Sequence, residues 1–498
     1  MNLNQIHNVY FIGIGGIGMS ALARYFSFLG KEIAGYDKTE TELTKELEAI
    51  GMQIHFDDTI DKIPSSFDKE NTLVIITPAV PTSHSEWNFF KEKDYVIKKR
   101  AEVLGIITKD TYCFAVAGTH GKTTTSSILG HILYECGVDV TAFLGGIVEN
   151  YNSNLIGNGK TVTVVEADEF DRSFLHLHPN MACVTSMDAD HLDIYGNSDE
   201  IEATFVEFAD KVEDKKMLFT PKSLPLKGVK IAIEEEADFT AFNIRIENSA
   251  YVFDVKTPSE TIKNIHFNLP GRHNLMNALM ALAMAKTYGS PTDGIARALS
   301  TFNGIKRRFS YQIKTEKLVF IDDYAHHPTE INAVHQAVRE LYPLQKVLAV
   351  FQPHLFSRTK DFADDFAKSL SQFDEIILLD IYPARELPVE GVTSELILNK
   401  MKLVKKQIAT KEELLNEVRN KVDKDTVFVT AGAGPCAGAQ NFAYSCSNSY
   451  QPIIRIKNAG TTAITTLTIN ARFGLLFIKG ISAFSISKRA GILAFCAE

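Results

Sequence analysis

The feature that most constrains the fold of this chain is a glycine-rich loop between a short apolar run and a helix-like segment. Residues 113–116 are typical of a buried strand and residues 126–136 of a helix, with Gly-Thr-His-Gly-Lys-Thr-Thr-Thr between them. Such a loop presents backbone N–H groups and a helix N-terminus to a polyphosphate. Within it, Lys122 is placed to reach the β- and γ-phosphates, and the Thr123 hydroxyl is placed to ligate Mg²⁺. The sequence therefore predicts ATP and Mg²⁺ as cofactors. The residues expected to bind the nucleotide are Gly118, Thr119, His120, Gly121, Lys122, Thr123 and Thr124.

This loop departs from the general pattern G-x-x-x-x-G-K-[ST]. Val116 stands where the first glycine is expected, and Gly118 comes two residues late. The alternative interpretation is a glycine turn between strand and helix that carries Gly-Lys-Thr by chance.

A second glycine loop follows the strand-like run at residues 9–12 and fits the pattern G-x-G-x-x-G. Asp37 ends the next strand-like segment, at the spacing expected for a partner of a ribose hydroxyl. The pattern selects a pyrophosphate near a helix N-terminus, so a UDP-sugar satisfies it as well as a nicotinamide or flavin dinucleotide does. A tight turn that binds nothing is the remaining alternative. The glycines concerned are Gly13, Gly15, Gly16 and Gly18.

Strand-like runs alternate with helical patterns along the chain, which indicates an α/β fold with parallel sheets. A length of 498 residues predicts about three domains. We expect a Rossmann-like N-terminal domain at residues 1–107, a P-loop ATPase-like parallel-sheet domain at 108–305 and a Rossmann-like C-terminal domain at 306–434. Within the second domain, residues 215–268 are predicted to form a polar, partly β excursion. An atypical tail, residues 435–498, follows.

Charge and composition exclude several classes of protein. A formal net charge of −9 and a pI near 5.9 argue against a general nucleic-acid surface. The six cysteines form no metal-ligand spacing, which fits a reducing cytoplasm. No apolar run reaches transmembrane length, and the N-terminus lacks the basic leader and cleavage site of a signal peptide. We therefore expect a cytoplasmic enzyme with no nucleic-acid partner and no membrane insertion.

Acidic and histidine side chains follow two strand-like runs of the central block. Glu166 ends the run at 161–166 and is a candidate Mg²⁺ ligand, since Mg²⁺ prefers oxygen ligands. The alternative is a solvated acidic loop or a helix cap. His191 follows the run at 181–186, and local sequence alone leaves open whether it ligates a second metal ion or only forms hydrogen bonds.

The third block carries polar clusters at its predicted strand ends, where open α/β sheets bind ligands. Arg307 and Arg308 precede its first strands and are suited to clamp a phosphate or carboxylate, although a surface basic patch is the alternative. Two further clusters are the Asp-Asp-Tyr-Ala-His-His-Pro-Thr-Glu stretch at 322–330 and the Gln-Pro-His-Leu-Phe-Ser-Arg-Thr stretch at 352–359. Within the first of these, Asp323 and Thr329 are equally suited to cap a helix.

Taken together, these motifs resemble those of the Mur ligase family, in order, from residue 1 to about 434. The motifs that carry the resemblance are the loop at 118–125, Glu-Ala-Asp-Glu at 166–169, Asp-His-Leu-Asp at 190–193, Gly-Arg-His-Asn-Leu-Met-Asn at 271–277, Arg-Arg-Phe at 307–309 and the stretch at 322–330. Within the family, Arg308-Phe309 and residues 351–359 are similar to members that add L-alanine to UDP-N-acetylmuramate. Members that attach an intact tripeptide to the same acceptor in recycling are the close alternative.

The resemblance implies an ATP-dependent ligase that works through an acyl phosphate and makes a peptidoglycan precursor. It implies UDP-N-acetylmuramate and L-alanine as partners, in a monomer or weak homodimer. Closure of the third domain is expected to assemble the site. The implied catalytic residues are Lys122, His191, Arg308, His326 and Arg358.

The resemblance also implies ligand-binding roles for individual residues. The implied metal ligands are Thr123, Glu166 and, for a second ion, His191. Asn277 contacts adenine, and Asn274 and Asp323 join it as nucleotide-binding candidates. The second glycine loop and Asp37 hold the UDP moiety, and the implied amino-acid site consists of His326, His354 and Arg358.

Residues 435–498 depart from the family pattern. Glu498 is the only acidic residue in this tail, and three of the six cysteines fall within it. The composition resembles an out-of-frame or foreign sequence, with an added interaction segment as the alternative. A family-like ending is expected to raise the melting temperature. Two other function classes stay open from sequence: an oxidoreductase that uses Gly13–Gly18, and a non-catalytic UDP-muramate or ATP binder disabled by the tail.

Overall fold

The computed structural model describes residues 3–188, 198–247, 250–315, 318–384, 386–422 and 425–434. His191 and the tail at 435–498 lie outside these ranges. The described residues form three sheets, each with helices, and this confirms the predicted three-domain α/β fold.

The first sheet is parallel, and its strand order β3-β2-β1-β4-β5 matches five of the six strands of the Rossmann order 3-2-1-4-5-6. All five residues of β1, Asn-Val-Tyr-Phe-Ile, are buried, as expected for a parallel strand covered on both faces. Its elements are β1 Asn8–Ile12, α1 Ile17–Phe28, β2 Glu32–Tyr36, α2 Glu42–Ala49, β3 Gln53–His55, β4 Thr72–Ile76, α3 Ser85–Glu92, β5 Val96–Lys99 and α4 Arg100–Lys109.

The second sheet has the order β15-β14-β13-β12-β11-β10-β6-β9-β7-β8. Its middle strands, from β13 to β7, are parallel, and β14, β15 and β8 add antiparallel edges. Residues 215–268 have the predicted β character, and their strands β11–β15 extend the central sheet. The elements are β6 Tyr112–Ala117, α5 Lys122–Glu135, β7 Val140–Val148, β8 Ser153–Ile156, β9 Val162–Glu166, β10 Met181–Val184, α6 Ser198–Asp210, β11 Leu218–Pro221, β12 Val229–Ile233, β13 Phe239–Glu247, β14 Ala250–Lys256, β15 Thr261–Phe267, α7 Arg272–Tyr288 and α8 Thr292–Thr301.

The third sheet has the order β16-β17-β21-β18-β19-β20 and is parallel except for the edge strand β16. Two of its helices begin with a capping box, in which the N-cap side chain and the side chain at the third helical position bond each other's backbone N–H groups. The elements are β16 Ser310–Lys314, β17 Val319–Asp323, α9 Pro328–Leu341, β18 Lys346–Phe351, α10 Phe356–Asp361, α11 Ala363–Leu370, β19 Glu375–Leu378, α12 Ser394–Lys400, β20 Lys406–Ile408, α13 Lys411–Lys421 and β21 Thr426–Ala431.

The helix that follows the second glycine loop rests on the β7–β8 hairpin of the central sheet. Asn154 Nδ2 donates to Ile17 O at 2.6 Å and to Ser20 Oγ at 2.8 Å. The rings of Tyr25 and Phe143 lie 5.1 Å apart in the same interface. The first and second sheets thus share an apolar core, which fixes the glycine loop relative to the central sheet. No helix among the described residues has the length and apolar character needed to span a bilayer.

Candidate active site

The phosphate loop lies between β6 and α5, and its two glycines adopt backbone conformations that favour glycine. Gly118 has φ 131° and Gly121 has φ 86°. A Cβ at Gly118 would lie 2.1 Å from Thr185 Oγ1, and one at Gly121 would lie 2.6 Å from Asn277 Oδ1. The loop is anchored to the segment after β10, because His120 N donates to Ser186 Oγ at 2.8 Å. These contacts set the backbone of the loop at the N-terminus of α5.

Lys122 extends from the first turn of α5 into a ring of acidic side chains. Its Nζ donates to Gly118 O at 2.7 Å and lies 2.7 and 2.9 Å from the two carboxylate oxygens of Glu169. Burial lowers the pKa of Lys122, but the charges of Glu169, Asp168 and Glu166 outweigh burial and raise it above its usual value. Lys122 is therefore a fixed cation at the mouth of the loop.

Thr123 and Glu166, the two predicted Mg²⁺ ligands within the described residues, lie side by side. Thr123 Oγ1 donates to Glu166 Oε2 at 3.1 Å, and Ser126 Oγ donates to Glu166 Oε1 at 3.3 Å. A hydroxyl and a carboxylate are hard oxygen donors of the kind that Mg²⁺ prefers, and phosphate oxygens and water would complete its shell. Among the described residues, no cluster of three or more His, Cys, Asp or Glu side chains is arranged to hold a metal ion. The pair thus fits Mg²⁺ bound together with a nucleotide.

The two neighbouring arginines of the third domain point to different parts of the molecule. Arg308 Nη2 lies 3.4 Å from Thr123 Oγ1 of the phosphate loop. Arg307 instead bonds within its own domain, to Asp322 at 3.2 Å and to the carbonyl oxygens of Gly432 and Gly434 at 2.6 and 3.1 Å. Arg308 is therefore the arginine placed to meet a phosphate on the loop, and Arg307 holds the end of β21.

A cavity of about 220 Å³ opens between the phosphate loop and the third domain. It contains the predicted nucleotide residues Asn274 and Asn277, and the Asn277 amide oxygen accepts from Thr125 Oγ1 at 3.2 Å. Its further wall residues include His120, Gly121, Thr124, His273, Arg308, Asp323 and Glu330.

Asp323 and His273 are among the titratable groups in this cavity that have strongly shifted pKa values. Burial raises the pKa of Asp323 to about 7, even though its carboxylate accepts hydrogen bonds from Phe309 N and Ala325 N at 2.7 Å each. Burial, followed by the charge of Arg308, lowers the pKa of His273 to about 4. The cavity is thus a desolvated site in which His273 is neutral near pH 7.

The predicted amino-acid residues gather at the carboxyl ends of β17 and β18. The ring centroids of His326 and His354 are 5.8 Å apart, and Arg358 Nη1 lies 3.4 Å from His354 Nδ1. Arg358 is nine-tenths buried. A buried guanidinium beside two imidazoles is suited to bind the carboxylate of a small substrate.

The second glycine loop is held by Asp37. Gly15 N donates to Asp37 Oδ2 at 2.8 Å, so this carboxylate bonds the loop itself. Gly13 has φ 93°, and a Cβ there would lie 2.7 Å from Thr77 Cγ2. Asp37 thus holds the loop through a hydrogen bond, and Thr77 packs closely against its first glycine.

A cavity of about 370 Å³ joins the second glycine loop to the phosphate loop. Gly16 and Gly18 form one end, and Lys122 and Glu166 form the other. The second glycine loop and the phosphate loop, which were both predicted to bind phosphate groups, therefore lie at the two ends of one cleft.

The sequence did not predict roles for several polar side chains at the site. Arg100, His273 and Glu330 line the two cavities, and Glu169 bonds Lys122 beside them. Arg100 begins α4 and lies 3.4 Å from Asp168 across the larger cavity. The sequence feature that could have indicated a role for Arg100 is the basic run Lys-Lys-Arg at the end of β5. Glu169, His273 and Glu330 belong to the motifs at 166–169, 271–277 and 322–330, but these motifs alone did not indicate a role for them.

The comparisons with known proteins define the class to which this chain belongs. Family models for the Mur ligase family, catalytic domain, the Mur ligase middle domain and the Mur ligase, glutamate ligase domain match residues 8–112, 116–285 and 307–434. The chain belongs to the Mur ligase family.

Among its curated relatives is the UDP-N-acetylmuramate--L-alanine ligase of Flavobacterium johnsoniae. That protein is 72% identical over 434 residues, which cover 87% of this chain and 96% of the relative. The enzyme of the same name from Christiangramia forsetii is 59% identical over 435 residues, with the same two shares. The solved structure of the UDP-N-acetylmuramate-alanine ligase MurC from Thermotoga maritima matches with a TM-score of 0.76 at 28% identity, covering 89% of this chain and 99% of the other.

Proposed function

We propose that this chain joins L-alanine to the carboxylate of UDP-N-acetylmuramate with hydrolysis of ATP to ADP and phosphate, a step of peptidoglycan precursor synthesis. The 72% identity to the Flavobacterium johnsoniae ligase over all three family matches carries the proposal. The cleft between the two glycine loops supports it, because it offers a path from a bound nucleotide sugar to Lys122.

The proposed chemistry has two steps. A carboxylate oxygen of the muramoyl group attacks the γ-phosphorus of ATP, and the bond between that phosphorus and the β-γ bridging oxygen breaks. ADP departs, and an acyl phosphate forms on the muramoyl group. The alanine amine then attacks the acyl carbon, loses a proton and expels phosphate from the tetrahedral intermediate. Both steps depend on in-line positioning and on neutralisation of the phosphoryl oxygens.

The residues of the phosphate loop and Arg308 have the clearest proposed roles. Lys122 and Arg308 neutralise the transferring phosphoryl group from two sides. Thr123 and Glu166 hold Mg²⁺, which offsets charge on the phosphate oxygens when it is bound. Asn274, Asn277 and Asp323 bind the nucleotide. A role for His191 as ligand of a second ion stays a prediction.

The remaining residues bind the other two substrates. The UDP pyrophosphate binds to the loop glycines Gly13, Gly15, Gly16 and Gly18, with Asp37 near the uridine. The amino acid's carboxylate binds to His326, His354 and Arg358. We retain residues 1–107, 108–305 and 306–434 as the UDP-sugar-binding, ATP-binding and amino-acid-binding domains. The proposed location is the cytoplasm, and the proposed state is a monomer or weak homodimer.

Phosphate release from MgATP and UDP-N-acetylmuramate tests the proposal. L-alanine, glycine, L-serine and the recycling tripeptide are added in parallel. We expect release that depends on L-alanine in the wild type and is lost in Lys122→Ala, whereas the exposed Lys227→Ala keeps wild-type turnover. Dependence on the tripeptide would assign the chain to the recycling ligases. Binding of both nucleotides without release would indicate a non-catalytic protein.

A further inference from the structure

Glu330 lies where the phosphate loop of the second domain meets the histidine cluster of the third. Its Oε1 is 3.5 Å from His120 Nδ1, and its Oε2 is 3.3 Å from His326 Nδ1. One carboxylate therefore stands between a loop residue predicted to bind ATP and a residue predicted to bind the amino acid.

The carboxylate also holds the start of α9. Glu330 Oε2 accepts hydrogen bonds from His326 N at 2.9 Å and His327 N at 3.2 Å, which completes the capping box with His327 as N-cap. One oxygen is thus occupied by the helix and by His326, and the other is directed toward His120. A glutamate that served only the helix would not need this second contact.

The partner in the other domain is held in place by its own backbone. His120 N donates to Ser186 Oγ at 2.8 Å, and His120 O accepts from Thr185 Oγ1 at 2.5 Å. Because His120 is anchored to the central domain, a bond from Glu330 to its ring fixes α9 relative to the phosphate loop.

The surroundings favour the charged form of Glu330. Its side chain is 22% exposed. Burial raises the pKa of this carboxyl, but His326 and His120 outweigh burial and hold it well below its usual range. The carboxylate is therefore available as an acceptor for both imidazoles.

We propose that Glu330 is a positioning residue that couples nucleotide binding at the phosphate loop to amino-acid binding at His326. A nucleotide bound to the loop stabilises the arrangement in which His120 meets Glu330, and Glu330 in turn orients His326. By linkage, the amino acid then strengthens nucleotide binding by the same factor. This inference rests on the proposed function.

The substitution Glu330→Gln separates the proposed role from helix capping. Glutamine at this helix position still accepts the backbone N–H bonds of a capping box, but it carries no charge for the two imidazoles. A matched control exists in the same domain: Glu413 occupies the equivalent position of the capping box that Thr410 opens at α13. Glu413→Gln makes the same chemical change away from the site.

The measurement is the Kd of adenylyl imidodiphosphate with Mg²⁺, by calorimetry on the full chain with UDP-N-acetylmuramate, with and without L-alanine. We expect L-alanine to tighten the analogue at least 5-fold in the wild type and in Glu413→Gln. In Glu330→Gln the tightening should fall below 2-fold, and the KM for L-alanine should rise about 10-fold with a smaller change in kcat.

A second variant tests the same coupling in case Glu330→Gln has a strongly lowered melting temperature. His120→Gln should also abolish the tightening, and the double variant should lose no more than either single one. Tightening that survives in Glu330→Gln, is missing from the wild type, or is lost equally in Glu413→Gln would overturn the inference. The proposed function is judged separately, by wild-type phosphate release that depends on L-alanine.

Discussion

The ammonium group of Lys122 lies 2.7 Å from the carboxylate of Glu169, and both side chains are largely buried. The lysine proposed to meet the γ-phosphate is thus paired with an acidic side chain of its own domain. A bound nucleotide brings a competing anion to the same ammonium group. We therefore expect Glu169 to stabilise the free protein and to weaken the binding of ATP.

The substitution Glu169→Gln should expose both effects. Removing one charge from this buried pair leaves Lys122 with only the charges of Asp168 and Glu166. We therefore expect the free energy of unfolding to fall by on the order of 2–3 kcal/mol, somewhat less than for a buried pair with no other charge nearby. The nucleotide phosphates replace the lost charge, so MgATP should raise the melting temperature more in the variant than in the wild type. Thermal melts with and without MgATP measure both changes.

Glu375 provides the matched control for this experiment. Its carboxylate is also buried and pairs with Lys346 at 2.8 Å and with Lys421 at 2.6 Å in the third domain. Glu375→Gln should lower the melting temperature but leave the MgATP-induced rise at its wild-type size. An equal rise in Glu169→Gln and the wild type would contradict the role given to Glu169.

Replacing each of the two adjacent arginines by lysine should give two different defects. Arg308→Lys loses the guanidinium that reaches Thr123, so we expect kcat to fall about 100-fold with little change in melting temperature. Arg307→Lys loses bonds to the Gly432 and Gly434 carbonyls, so we expect a loss of about 2 kcal/mol of stability and a smaller change in kcat. Steady-state kinetics and thermal melts on both variants decide the matter. Equal losses of kcat and of melting temperature in the two variants would contradict the different roles given to Arg307 and Arg308.

Asp37 should act on the nucleotide sugar through the second glycine loop. Asp37→Ala removes the acceptor of Gly15 N, and the loss of one charge-assisted bond of about 1.4 kcal/mol corresponds to a 10-fold higher KM for UDP-N-acetylmuramate. The Kd for ATP should not change, because the phosphate loop lies in another domain. The exposed Asp61→Ala in the same domain should keep wild-type values for both. A change confined to ATP binding would refute this role.

His273 should make the protein less stable in mild acid. The unfolded chain binds the proton of this imidazole below its ordinary pKa of 6.5, whereas the folded chain binds it only below about 4. Between these values the unfolded state holds more protons, so the free energy of unfolding rises with pH and is lost on acidification. His273→Gln should therefore flatten the rise in melting temperature between pH 4.5 and 6.5.

Thermal melts without ligand across that pH range test this expectation. His7→Gln, at an exposed position of the first domain, should retain the wild-type slope. A wild-type slope in His273→Gln would show that another group carries the acid sensitivity.

The fold and the general place of the site could be predicted because both depend on local patterns. Apolar runs followed by Gly13–Gly18 and Gly118–Gly121 predicted strand, loop and helix, and the structure has these elements. Carboxyl ends of parallel strands share one edge, so the polar clusters after β9 and β17 were predicted to lie in the site.

The pairing of individual side chains could not be predicted from sequence spacing. Arg307 and Arg308 are adjacent, and it is the backbone of the third domain, with φ 63° at Arg307, that sends them in different directions. The contact of Asp37 with a ribose stays a prediction, whereas its bond to Gly15 N depends on the register of two strands and could not be predicted. The contact between Glu330 and His120 joins two domains. No local sequence pattern predicts a contact between residues so far apart in the chain.

The cleft between the two glycine loops has a consequence for inhibitor resistance. A Cβ at Gly18 would lie 2.7 Å from Arg100 Nη1, and one at Gly145 would lie 2.5 Å from Glu166 Oε2. Larger residues at these positions would therefore displace the end of Arg100, which lines the cavity, or of Glu166, the proposed Mg²⁺ ligand. A compound that fills this cavity and rests on Gly18 and Gly145 would select few escape mutants, and those that arise should grow slowly because their own enzyme is impaired.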